Sequence, residues 1–99
     1  MSDVPAYEIE VARTDVERFM STFSVRIVEG DSESRHSVTL SGADWERLGA
    51  GYAGPEELIR ESFRFLLANE PKEQILGSFD ISQISTYFPD FERAISKPR

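Results

Sequence analysis

The alternation of apolar and polar positions divides the chain into a strand-like first half and a helical second half. Tyr7, Ile9 and Val11 alternate with Glu8, Glu10 and Ala12, which predicts a strand with one wet face. Thr14-Asp15 then reads as a turn or a short helix start. From Phe19 the period of two resumes, with Phe19, Ser21, Phe23, Val25 and Ile27 on one face and Met20, Thr22, Ser24 and Arg26 on the other. Glu29 to Ser34 (EGDSES) is a polar turn cluster. Arg35 to Leu40 alternates again, with Val38 and Leu40 inward and Ser37 and Thr39 outward. Residues 19–40 are therefore expected to form an antiparallel hairpin with a loop longer than two residues.

The pattern changes to 3.6 residues after Ser41. Ser41 followed by Asp44 has capping-box spacing, with Asp a poorer third-position partner than Glu, ahead of a short helix, Gly42 to Leu48, that turns Trp45 and Leu48 inward. Gly49, Gly51 and Gly54 read as a helix stop and linker, since the phosphate-loop spacing and its lysine are missing. Pro55 to Asn69 carries the strongest signal in the chain. Proline stands at the first helical position, Glu56 and Glu57 fill the first turn, and Leu58, Ile59, Ser62, Phe63, Leu66 and Leu67 recur as a stripe. Phe65 falls off that stripe and needs either a wider stripe or a separate cover. Pro71 ends the helix. Lys72 to Leu76 is expected to be helical, with Ile75, Leu76 and Phe79 apolar, and Gly77 loosening its end. Asp80 and Gln83 have capping-box spacing ahead of ISQISTYF. Pro89 stops that piece, and Phe91 and Ile95 belong to a last turn or two.

Strands first and helices after predict an α+β fold. The expectation is a small antiparallel sheet of two to three strands, packed by the central helix at about 55–69 and by short C-terminal helices. The 99 residues form one domain, with 1–5 and 97–99 as tails. A chain of this size buries roughly 60% of its unfolded surface, enough for a core without staples.

Composition narrows the function by subtraction. The chain has no cysteine, which removes disulfides, thiolate catalysis and thiolate metal sites, and its one histidine leaves metal sites short of ligands. No cofactor and no metal are expected. No apolar run reaches the ~18–20 residues that span a bilayer, so the expectation is a cytoplasmic protein without membrane contact. The net charge is −7, and residues 1–34 hold eight acids against three bases. Such a chain is repelled by phosphate backbones unless it keeps a basic patch, which disfavours nucleic acid.

Two stretches carry resemblances. Phe63 to Glu92, FRFLLANEPKEQILGSFDISQISTYFPDFE, resembles the ending of a group of small bacterial proteins of uncharacterised function. That resemblance implies a bacterial source and no particular activity. Residues 35–69, with SVTLS, then WERL, then PEELIRESFRFLL, look like the strand–helix–helix of ribbon-helix-helix transcription regulators and antitoxins. This resemblance implies a homodimer whose outward strand residues Arg35, Ser37 and Thr39 read base edges, with the start of the central helix holding a phosphate. The chain departs from that family in a short first helix, an in-chain partner strand at 19–28, and Gly-Pro-Glu-Glu where the phosphate would sit.

For catalysis the candidates are the carboxylate pairs Glu56/Glu57 and Asp90/Glu92. Acids in a first helical turn are explained by the dipole, and no cleft is visible, so no enzyme is expected. His36 would make a switch with Asp31 or Glu33, but a lone histidine on a hairpin is expected to be solvated. The late aromatics Phe79, Tyr87, Phe88 and Phe91 are expected chiefly to cap the sheet and central helix; failing that, Tyr87, Phe88 and Phe91 are the candidate partner surface, along with the hairpin's free edge. The leading expectation is a non-catalytic interaction or regulatory module that binds a protein partner or a second copy of itself.

Overall fold

The computed structural model describes residues 7–96; the tails expected at 1–5 and 97–99 lie outside the described residues. Three long strands come first, β1 (Tyr7–Val16), β2 (Met20–Glu29) and β3 (Ser32–Ser41). They form an antiparallel meander, and helices α1 (Gly42–Leu48) and α2 (Pro55–Asn69) follow. The chain then returns through a 3₁₀ turn (Lys72–Gln74) to a fourth strand, β4 (Ser78–Asp80). That strand pairs parallel with β3, matching Val38 to Phe79. A 3₁₀ turn (Ile81–Gln83), α3 (Ile84–Tyr87) and α4 (Phe91–Ile95) complete it.

The α+β class holds, but the sheet has four strands in the order β1-β2-β3-β4 and is mixed, where two to three antiparallel strands were expected. Three residues are too few to show a period, so Ser78–Asp80 gave no strand signal. The expected helix at 72–76 is a single 3₁₀ turn, because Ile75 already has extended backbone angles.

Both hairpins differ from expectation in their turns. β1 runs through Thr14 and Asp15, absorbing the extra residue as a bulge between Arg13 and Asp15. The chain reverses at Glu17–Met20, where the Glu17 amide donates to the Met20 carbonyl at 2.7 Å. Phe19 thus stands at the turn and not on the inward strand face, and it is exposed. The β2–β3 loop has two residues, Gly30 and Asp31, not more, since Glu29 already pairs with Ser32. Gly30 takes φ 60°, which a two-residue hairpin of this kind requires at its first corner.

The core lies on one face of the sheet. Phe23, Val25, Ile27, Val38 and Leu40 meet Leu58, Ile59, Phe63 and Leu66 of α2 in one buried cluster. Helix α2 begins and ends where its Pro55 and Pro71 signals place it. Its Ser62 is buried because the hydroxyl donates to the Leu58 carbonyl at 2.8 Å. Phe65 is covered separately, by Phe88 and Phe91 at ring distances of 5.7 and 5.3 Å. Among the described residues no helix covers the other sheet face, which presents Glu8, Glu10, Ala12, Ser24 and Arg35 to solvent.

Candidate functional site

The C-terminal half wraps around the end of α2 and leaves a groove of about 400 Å³. Leu66, Ile75, Leu76, Phe79, Ile84 and Phe88 supply its apolar lining; Glu70, Gln74, Gln83 and Tyr87 add polar groups. Glu70 is the only charged residue among them. The volume falls within the ~300–1,000 Å³ typical of concave binding sites.

Single side-chain bonds to the sheet shape this groove. His36 Nδ1 donates to the Leu76 carbonyl at 2.7 Å, since a carbonyl can only accept. Its Nε2 is 2.8 Å from the Ser34 hydroxyl, and its ring lies 5.4 Å from Phe63. One residue on, the Ser37 amide donates to the Gly77 carbonyl at 2.8 Å. Consecutive carbonyls are therefore held by β3, which turns the chain into β4 and places Leu76 on the groove wall.

The far wall depends on Asp80. Its carboxylate accepts from the Thr39 hydroxyl at 2.6 Å and from the Ser82 amide and hydroxyl, while the Asp80 amide donates to Gln83. The expected capping box is present, with a link to β3 added. Burial pushes the Asp80 carboxyl up, but the hydrogen bonds from Ser82 and Thr39 outweigh it and hold the group below the usual carboxylate range.

The three late aromatics fall in different environments. Tyr87 is exposed and Phe88 half-buried, and both line the groove. Phe91 is fully buried against Phe65, so it belongs to the core and offers a partner nothing. Arg35, Ser37 and Thr39 share the uncovered sheet face, but none stands free. Arg35 pairs with Glu33 at 3.0 Å, Thr39 donates to Asp80, and Ser37 is half-buried between β2 and β4. Strand β3 is interior over residues 37–39, so that stretch has no open edge for a ribbon with a second subunit. The cross-strand neighbours of Arg35 include Arg26 and Glu10, with Glu33 and Glu8 in the next row.

The carboxylate pairs are all engaged by arginine: Glu56 with Arg13, Glu57 with Arg60, Asp90 with Arg93 and Glu92 with Arg47. His36 was expected to be solvated near Asp31 or Glu33; it is 5% exposed and bonded to Ser34 and Leu76 instead. Its place was legible, because His36, Val38 and Leu40 share one strand parity. Lys72 had no such signal. It is 2% exposed, with its ammonium bonded to Glu73 and 3.3 Å from Glu29. The Glu73 carboxylate holds that ammonium above its usual range, the reverse of what a nucleophilic lysine needs.

Among the described residues, no group of three or more His, Cys, Asp or Glu is arranged to hold a metal ion. No described helix is long and apolar enough to cross a membrane. Comparison with protein-family models, with curated proteins and with solved structures gives no match.

Proposed function

We propose that this chain is a non-catalytic interaction module that receives an apolar, positively charged segment of a partner protein in the groove between α2, β4 and α3. The observation that carries this is the lining itself: apolar walls, exposed Leu76 and Tyr87 at the rim, and Glu70 as the lone charge. Apolar surface of this kind supplies affinity, and a single rim acid selects against acidic partners. The elements of catalysis are elsewhere and mutually neutralised, since each candidate carboxylate is tied to an arginine. The resemblance of residues 63–92 to small bacterial proteins supports a bacterial setting.

The test is an NMR titration with two synthetic peptides of equal apolar content, one carrying lysines and the other glutamates. The basic peptide is expected to shift the amides of residues 70–88 and the acidic peptide to leave them unmoved. Leu76→Asp should abolish the shifts. Equal response to both peptides, or shifts confined to another surface, would replace this proposal. Duplex DNA at low salt is the alternative ligand, through Arg35, Ser37 and Thr39. No binding is expected, because Glu8, Glu10 and Glu33 share that sheet face.

A further inference from the structure

Resting on that groove as the binding site, we infer that its occupant is the β1–β2 turn of a second copy of this chain. Among the described residues, the large apolar side chains left exposed fall in only two places. Leu76 (48%) and Tyr87 (65%) rim the groove; Val16 (63%), Phe19 (73%) and Met20 (37%) form the turn. One surface is concave and the other a protruding corner. Exposed apolar groups gathered in this way mark contact sites, whereas scattered ones need no explanation.

One charge favours the pairing, although two acids beside it oppose it. The Arg18 guanidinium lies over the Phe19 ring, 5.3 Å from its centre, so an aromatic entering the groove brings a cation with it. The groove's one charged lining residue is the acid Glu70. The turn is also held ready. Glu17 and Met20 bond to each other's backbone, and the Gly42 amide donates to the Phe19 carbonyl at 3.0 Å. Little ordering is left to be lost on contact. The turn is paired at the Ser41 end of β3, whereas the groove wall is anchored at His36 and Ser37 further along the strand, so the contact is drawn between two molecules.

Size sets the strength. A buried aromatic removes about 150–250 Å² from water, whereas a stable interface needs roughly 800 Å² per partner. One turn in one groove is too small to persist. A two-fold arrangement doubles the contact, each chain giving a turn and receiving one. Asp15 and Glu17 flank the turn and repel Glu70, which also weakens the pair. A dimer that dissociates on dilution follows.

Sedimentation velocity of the full chain over a dilution series tests this. The mass is expected to rise toward a dimer with concentration. Phe19→Ser, at an exposed position that leaves the fold intact by circular dichroism, should weaken association ~30-fold or more. Leu76→Asp should do the same, with Tyr87→Ser as the second groove variant should Leu76→Asp misfold. Mixing Phe19→Ser with Leu76→Asp restores one of the two contacts, so the mixture should associate more than either variant alone yet more weakly than the parent. Growth past a dimer that Phe19→Ser abolishes upholds the contact in an open, head-to-tail form. A monomer at every concentration overturns the inference, as does a Phe19→Ser protein that dimerises like the parent. If the monomer still takes the basic peptide in its groove, the groove remains a binding site and only the choice of occupant fails.

Discussion

The meander β1–β3 and the segment from Glu70 to Ser96 are held together by different means. The meander is a continuous ladder of paired backbone, from Tyr7–Glu29 through Met20–Ser41. The later segment has three ladder residues, two 3₁₀ turns and two helices of five residues or fewer. Such short helices do not persist alone in water. It is held by core side chains such as Phe79, Ile81, Ile84 and Phe91 and by individual tethers: His36 to Leu76, Thr39 to Asp80, Lys72 to Glu29 and Tyr52 to Ile95. One region is built from its own periodicity, and the other is docked onto it. The groove belongs to the docked region, so a functional surface here depends on a few specific bonds more than on secondary structure.

The largest effect expected from breaking this arrangement is at Phe91. The side chain is fully buried beside Phe65 and joins α4 to α2. Phe91→Ala should cost about 3–5 kcal/mol, a large part of a typical ~5–15 kcal/mol total. Urea denaturation measures the loss. Hydrogen exchange locates it: amides of residues 72–96 should lose protection before those of β2 and β3. Simultaneous loss in both regions would mean that the two fold as one unit.

His36→Leu cuts one tether while keeping the bulk beside Phe63. The Leu76 carbonyl is left without its donor, at a cost of about 1–3 kcal/mol. Exchange should accelerate around Ile75–Phe79, and peptide binding in the groove should weaken along with it. Unchanged exchange there would show that the Ser37–Gly77 bond is sufficient.

Gly49→Ala probes the joint between the two regions. An added Cβ here would collide with the Trp45 indole and with the Trp45 carbonyl oxygen 2.5 Å away, so both the ring and the end of α1 must shift. About 1–3 kcal/mol is expected from such overpacking, with a shift in Trp45 fluorescence. Gly77→Ala is the matched control, since nothing lies within 4 Å of its added Cβ. Equal stability of the two variants would show that the end of α1 and Trp45 shift together at little cost.

The same division decides what the sequence reveals. Strand parity places Phe23, Val25, Ile27, Val38 and Leu40 in the core, and the Pro55 and Pro71 signals bound α2. Parity also fails at a known point: Phe19 obeys the alternation of β2 but sits one residue outside it, where the turn frees it from either face. The groove was visible only in fragments. Leu76, Phe79, Ile84, Tyr87 and Phe88 read as apolar, yet which of them are covered depends on where β4 pairs, and three residues carry no period. Lys72 is the extreme case: its nearer partner Glu73 is the next residue, but the contact that ties it to the sheet is Glu29, more than forty residues away. Local pattern reports what an element does by itself; a docked segment is specified by its partners.

Asp80 carries the smallest of these effects and the one with a defined pH dependence. Its folded-state pKa is depressed by the hydrogen bonds from Ser82 and Thr39, which outweigh burial. A depressed carboxyl contributes stability that is fully present above its unfolded value, about 3.9, and lost as pH falls through the lower folded value. Asp80→Asn keeps an acceptor for the cap but removes the charge that strengthens it. The variant should be less stable by about 0.5–1.5 kcal/mol at neutral pH. Toward pH 3 and below the difference should shrink, because the parent carboxyl is then protonated too. Other depressed acids, such as Glu33 beside Arg26, also weaken the fold in acid. The informative quantity is thus the gap between the two melting curves, not the slope of either. A gap that stays constant from pH 7 to 2 would mean that the Thr39–Asp80 tether acts as a neutral hydrogen bond, and that the groove's far wall owes nothing to charge.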